Sequence, residues 1–232
     1  MQWNERRVLV TGASRGLGRA LAEELARRGA RVIGVARDAD VLERAMKGVG
    51  HAIVADVGEP GAAEAIAAQV AELGGVDVVI HNASTLGPTP LPALADLDDR
   101  DFERVFEVNV LGPQRLTRAL LGPMRRQGHG WILTISSDAA VEAYAGWGAY
   151  GASKAALDHW TRVLAAELEG TAIRALAVDP GEMDTAMHAA ALPDADPTTL
   201  AQPADVAVAI LDHALEAASG ARVRAASLRG AA

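Results

Sequence analysis

Short runs of β-branched and aliphatic residues alternate along the chain with longer stretches in which alanine, leucine, glutamate and arginine recur at helical spacing. The runs fall at 8–10, 31–35, 52–54, 76–80, 131–135, 173–178 and, briefly, 221–223. They are nearly continuous in hydrophobicity instead of alternating, the mark of strands covered on both faces. The stretches between them, at 17–28, 60–73, 102–126, 149–169 and 204–217, predict helices; a helix is the usual crossover that lets the next strand run parallel to the last. The pattern predicts one α/β domain over residues 1–232, a doubly wound, seven-stranded, mainly parallel sheet flanked by helices. Two proline-bearing segments interrupt the rhythm, 84–97 and 182–203. Both follow strands, and open α/β sheets bind ligands beyond the carboxyl ends of their strands. Each is expected to wall a crevice, the second as a substrate loop.

The first run leads into Thr11-Gly12-Ala13-Ser14-Arg15-Gly16-Leu17-Gly18 and then a helix with Leu17, Leu21 and Leu25 on one face. Strand, glycine turn and helix in that order open a Rossmann-type dinucleotide-binding unit. Glycine lets the backbone approach a ligand, and the helix N-terminus offers unpaired N–H groups and a positive dipole end to a pyrophosphate. Gly12, Ser14, Arg15, Gly16, Leu17 and Gly18 are the expected seat. The second strand ends Val35-Ala36-Arg37-Asp38, where NAD sites usually present a carboxylate to the ribose. Alanine and then arginine favour NADP(H), with Arg37 and Arg15 forked on the 2′-phosphate; Asp38 keeps NAD(H) possible. Asp56-Val57, after the third strand, offer an acceptor to the adenine amino group or simply a turn.

Tyr150 and Lys154 stand four apart on one predicted helix and so share a face. Tyrosine is a poor acid or base near neutrality unless positive charge favours its phenolate, and Lys154 with a nicotinamide cation would supply that charge. Ser137, after the fifth strand, is placed to hold a substrate oxygen while Tyr150 moves a proton.

Composition closes other chemistries. A formal net charge of −8 opposes a phosphate-backbone binder, so nucleic acid is not an expected partner. No apolar run approaches the roughly 18 residues of a membrane span, and the polar residues 1–7 carry no signal segment, which predicts a cytoplasmic protein. Without cysteine there is no disulfide, thiolate nucleophile or cysteine-bound metal. Lys47 and Lys154 are the only lysines in an arginine-rich chain.

Taken with their spacing, these motifs resemble those of the short-chain dehydrogenase/reductase family along nearly the whole chain. Thr11 to Gly18 is similar to that family's glycine turn, His81-Asn82-Ala83-Ser84 to its Asn-Asn-Ala-Gly segment and Asp179-Pro180-Gly181 to its nicotinamide-side turn. The resemblance implies catalytic roles for Asn109, Ser137, Tyr150 and Lys154, with protons passing from Tyr150 through the cofactor ribose and Lys154 to a water near Asn109. It implies cofactor contacts from Asn82, Ala83, Tyr150, Lys154, Pro180, Gly181, Met183 and Thr185, and no metal. His81 and Ser84 depart from the pattern; His81 is expected to be a hydrogen-bonded strand-end histidine. Of the adjacent serines, Ser136 is expected to support the strand.

Pro113 lies four residues after Asn109 and has no N–H to give its carbonyl, so a bent helix and a free acceptor are expected there. Tyr144, Trp147, Met183 and Met187 are candidate pocket walls or core residues, while Glu142 and His188 are expected to face solvent. The apolar circumference of 149–169, with Leu157, Trp160, Val163, Leu164 and Leu168, predicts a homodimer or homotetramer. The expected function is NADP(H)-dependent interconversion of a carbonyl and an alcohol on a small-molecule substrate. Two rivals stand beside it, a dinucleotide-binding sensor or scaffold without turnover and an epimerase or dehydratase that uses the cofactor transiently.

Overall fold

The computed structural model describes residues 3–213 and 216–228. Seven strands, β1 Arg7–Thr11, β2 Arg31–Ala36, β3 Gly50–Val54, β4 Val78–His81, β5 Gly130–Ile135, β6 Ile173–Asp179 and β7 Arg222–Arg224, form one sheet. Its order is β3-β2-β1-β4-β5-β6-β7, and every pairing among the described strands is parallel. The helices are α1 Gly16–Arg27, α2 Ala39–Met46, α3 Ala62–Glu72, α4 Asp99–Phe106, α5 Gly112–Gln127, α6 Gly148–Glu167, α7 Ala186–Ala191, α8 Pro203–His213 and α9 Ala225–Leu228.

Strands β1 to β6 feed two cores, which is why their hydrophobicity is continuous. Val8, Val10, Val78 and Ile80 join Leu21 and Leu25 of α1 and Val206 and Ile210 of α8 on one side. The intervening Leu9 and Val79 join Ile66 of α3, Leu116 and Leu120 of α5 and Leu164 of α6 on the other. At period 2 successive side chains point to opposite faces. Among the described residues no helix is long and apolar enough to cross a membrane.

Several boundaries differ from the sequence reading. α2 is missing from it: eight residues between two strands are too short for a persuasive period, but Asp38 caps the helix by accepting from the Val41 N–H at 3.1 Å. The predicted substrate loop is partly ordered, holding α7 and a 3₁₀ turn at Pro197–Thr199. The helix predicted over 204–217 is described from Pro203 to His213; 214 and 215 lie outside the described residues. Near Pro113 the chain stays helical but changes type, with a π-helical turn at Glu107–Leu111 between α4 and α5. In α6 and at its C-cap, Leu157, Leu164 and Leu168 are buried in the chain's own core, Trp160 packs partly against it, and Val163 alone of the five is exposed. The apolar circumference is largely consumed within one subunit.

At the amino-terminal edge of the sheet Asp77 ties three strands together. Its carboxylate accepts from the Arg7 backbone N–H at 2.8 Å and guanidinium at 2.7 and 3.1 Å, and pairs with His129 Nε2 at 3.0 Å. Burial alone would raise the Asp77 pKa, but the hydrogen bonds and charge of Arg7, with His129, hold it at about 2 against an ordinary 3.8. A depressed folded-state pKa contributes stability above the unfolded value that disappears as pH falls through the folded one. Asp77→Asn is expected to cost about 2 kcal/mol at pH 7, the free-energy equivalent of that depression. Urea unfolding from pH 7 down to about 3 should show the gap from wild type narrowing below pH 4; a gap independent of pH would contradict the pairing.

Candidate active site

The strand order reverses between β1 and β4, and the crevice opens there, as it does in doubly wound sheets. The loops after the two strands are cross-linked. Thr11 Oγ1 accepts from the Asn82 and Ala83 N–H groups, both at 3.0 Å, and Asn82 Nδ2 donates to the Thr11 carbonyl at 2.9 Å. Packing is so close that a Cβ on Gly18 would stand 2.2 Å from the Gly12 carbonyl oxygen and 2.4 Å from Asn82 Nδ2. Above this junction lies a cleft of about 640 Å³, into which every residue expected at the cofactor and reaction ends contributes except buried Gly18 and Asn109.

At one end is the glycine turn. Gly12 and Gly16 adopt positive φ, +70° and +53°, a region costly to residues with a Cβ. α1 begins at Gly16 with no side-chain cap and no acidic residue in its first turn, so its N-terminal N–H groups and dipole are left to attract an anion. Ser14, Arg15 and Leu17 line the same end. Arg37 is exposed, its nearest charge partner being Asp56 at 4.0 Å. Asp38 is engaged in capping α2. Asp56 forms the turn that the sequence left open, Oδ1 accepting from Gly58 N–H at 3.0 Å, and its Oδ2 also pairs with Arg104 at 2.5 Å. Val57 is buried beside it.

The far wall comes from the β6 turn and the segment beyond it. Gly181 N–H donates to Asp179 Oδ1 at 3.0 Å, setting the Pro180–Gly181 turn. Thr185 caps α7, accepting from the His188 N–H at 3.2 Å, and its methyl group lies where a Cβ on Gly16 would be 3.5 Å away. The cap and the position against the glycine turn coexist. Met183 pairs with Ala201 in an isolated bridge and lines the cleft. His188, expected in solvent, has a side chain only 12% exposed with Nε2 lacking a hydrogen-bond partner, because α7 folds it back over the cleft. Tyr144 and Met187 line the rim from exposed positions, and Trp147 stacks edge-on with Tyr150 at 5.6 Å. Glu142 is exposed, as expected.

The reaction end is buried. Tyr150 is 8% and Lys154 2% exposed. Their common helix face turns both inward, with Lys154 Nζ 5.5 Å from the Tyr150 ring centre and donating to the Ile135 carbonyl at 2.7 Å. Burial pushes the Lys154 pKa down to about 8, with Asp158 opposing the fall. Burial pushes the Tyr150 phenol up to about 12; the Ser137 and Ser84 hydroxyls pull it down, while Asp138 and Asp179 add to the rise. Among these neighbours the two serine hydroxyls favour the phenolate and the two carboxylates oppose it. Ser137 caps a 3₁₀ turn, accepting from Ala139 N–H at 3.2 Å and donating to Asp138 Oδ1 at 2.9 Å. Ser136 is buried beneath it.

Asn109 is 1% exposed and every polar atom of its side chain is used. Oδ1 accepts from Ser84 Oγ at 3.1 Å and Thr85 N–H at 2.9 Å; Nδ2 donates to the Thr85 carbonyl and Ser153 Oγ, both at 2.9 Å. It clamps the loop after β4 to α6. His81 bonds Thr117 Oγ1 at 2.8 Å, and burial lowers its pKa to about 3, which keeps it neutral.

Four contributors escaped the sequence reading: Ser84 beside Tyr150, Asp138 on Ser137, Arg104 on Asp56, and Arg222. The last donates to the Ser137 carbonyl at 2.7 Å, Asp158 Oδ2 at 2.8 Å and Asp179 Oδ2 at 3.1 Å. One signal was present, since Asp158 continues the spacing of four set by Tyr150 and Lys154.

Comparison with known proteins accords with this architecture. The family model for short chain dehydrogenases matches residues 6–196. An uncharacterised oxidoreductase of Mycobacterium tuberculosis is 43% identical over 182 residues, 78% of this chain and 70% of that protein. A chloroplastic NADPH-dependent aldehyde reductase-like protein of Arabidopsis thaliana is 35% identical over 197 residues, 77% of this chain and 73% of its own. Among solved structures, a short chain dehydrogenase of Shigella flexneri complexed with NADP superposes with a TM-score of 0.86 at 30% identity, covering 96% of this chain and 98% of that one. The chain belongs to the short-chain dehydrogenase/reductase family of oxidoreductases.

Proposed function

We propose that the chain is an NADP(H)-dependent oxidoreductase that interconverts a ketone or aldehyde and an alcohol, with Tyr150 as the general acid and base. The observation that carries this reading is the placement of Ser137, Tyr150 and Lys154 at one end of a cleft whose other end is an uncapped helix N-terminus behind a glycine turn. Such a helix end suits a pyrophosphate. The cofactor, when bound, supplies or accepts the hydride. Gly12, Ser14, Arg15, Gly16, Leu17 and Gly18 would hold its phosphates, Arg37 its 2′-phosphate, Asp56 and Val57 the adenine end, and Asn82, Ala83, Pro180, Gly181, Met183 and Thr185 the nicotinamide half. Arg37 stands free enough to turn toward a phosphate, and Asp38, the residue that would favour NAD, is spent on α2. The NADP bound by the Shigella flexneri protein supports the same choice.

In the reducing direction Tyr150 gives its proton to the substrate oxygen while Ser137 holds that oxygen by hydrogen bond. Lys154 keeps a positive charge behind the ring and Asn109 keeps Ser84 and α6 in place. A phenol held near 12 is protonated at neutral pH, the form a proton donor needs; oxidation of an alcohol needs the phenolate, so that direction gains as pH rises.

Tyr150→Phe is expected to lower kcat for carbonyl reduction roughly 10²- to 10⁴-fold, the range for loss of a general acid, followed as NADPH absorbance across a carbonyl panel; equal rates would remove Tyr150 from the chemistry. Arg37→Ala should weaken NADPH binding about tenfold by fluorescence titration and leave NADH nearly unaffected, because only the former loses a charge-assisted bond. Equal weakening of both would overturn the 2′-phosphate assignment. Since the lowered Lys154 pKa means that its charge is present below about 8 and lost above it, kcat for reduction should be level through neutrality and fall as pH rises past that value. A rate unchanged up to pH 10 would contradict a need for the ammonium.

A further inference from the structure

Arg222 lies on β7, the last strand, and its guanidinium reaches three different elements behind the reaction end. It donates to the Ser137 carbonyl at 2.7 Å, after β5, to Asp158 at 2.8 Å, on α6, and to Asp179 at 3.1 Å, at the end of β6. Both carboxylates are deeply buried, with side chains 8% and 3% exposed. Carboxylates so buried are costly unless paired. Asp158 Oδ1 has no hydrogen-bond partner, so the bond from Arg222 to Oδ2 matters the more to that residue. Asp179 also accepts from Gly181 N–H with its other oxygen, which extends the network to the Pro180–Gly181 turn. Arg224 lies 3.5 Å from Asp179 as well, but the contacts to Asp158 and to Ser137 come from Arg222.

Ser137 and Tyr150 sit on different elements, a turn after β5 and the helix α6, and must act on one substrate oxygen. Lys154 bonds the Ile135 carbonyl from α6, and Arg222 bonds the carbonyl two residues on while bonding α6 itself through Asp158. We propose that Arg222 is a positioning residue of the reaction centre, its planar fork fixing the Ser137 backbone against the helix that carries Tyr150 and Lys154. This rests on the roles proposed for those three residues. A rigid, always charged guanidinium can meet several fixed acceptors at once; a lysine ammonium is a single point on a flexible stem.

The test is Arg222→Ala and Arg222→Lys in the full chain, with carbonyl reduction and NADPH binding measured on each. Displacement of a catalytic group by an ångström costs about a hundredfold in rate, so Arg222→Ala should lose about that much in kcat with KM and the NADPH Kd nearly unchanged. Guanidinium chloride at non-denaturing concentration should restore part of the loss. Arg222→Lys, which keeps the charge without the fork, should fold with a native circular dichroism spectrum and lose about tenfold in kcat, and it decides the matter where Arg222→Ala fails to fold. Wild-type kcat in the lysine variant, or a loss confined to KM or to NADPH binding, would overturn the proposal. Failure of the wild-type chain itself to reduce any carbonyl would instead overturn the proposed function. The clamp is then read by hydrogen exchange across residues 135–139, expected to be faster in Arg222→Lys; unchanged exchange would refute it.

Discussion

The cross-link between the β1 and β4 loops is the constraint on which the rest of the structure hangs. Where the strand order of a doubly wound sheet reverses, the strands stay paired but the chain leaves them toward opposite faces, and the crevice between is useful only if its two lips are held at a fixed distance. Thr11 and Asn82 do this with bonds of 2.9 and 3.0 Å across the gap. Gly18 lets α1 descend onto the same spot, since any larger residue would enter the Gly12 carbonyl and the Asn82 amide. The seating of α1 and the aim of its N-terminal N–H groups are therefore fixed at one packed junction, and the cleft above it inherits that geometry.

The reaction end obeys a different constraint, the cost of burying charge. Lys154, Asp158 and Asp179 are all nearly inaccessible to water, and each is tolerable only because a partner is supplied: Ile135 for the lysine, Arg222 for both carboxylates. The same burial moves Tyr150 and Lys154 in opposite directions, to about 12 and about 8, because desolvation disfavours whichever form carries charge. One burial thus packs both side chains into the fold and favours the uncharged form of each.

What could be read beforehand was whatever repeats locally. Continuous apolar strands, the glycine turn after β1 and the spacing of Tyr150 and Lys154 are properties of short stretches, and they placed the sheet order class and the two ends of the cleft. α2 and α7 were missed because eight and six residues give little periodicity. Arg222 was missed because its three acceptors lie 85, 64 and 43 residues away; the local signal, the spacing of Asp158 from Lys154, marks its partner and not Arg222 itself. Near Pro113 the sequence suggested a bend, and the chain there holds a π-helical turn at Glu107–Leu111 inside a continuous helical path. Ser84 was noticed only as a departure from the family pattern; its bond to Asn109 and its effect on Tyr150 needed coordinates.

The account turns on net hydride transfer to a carbonyl carbon at this cleft. The most direct measurement is a single turnover with NADPH deuterated at the transferring position of the nicotinamide, with the product analysed by mass spectrometry and NMR. The account predicts one deuterium on the carbinol carbon for each NADPH oxidised. Product formed without net NADPH oxidation, or an alcohol carrying no deuterium at that carbon, would contradict it.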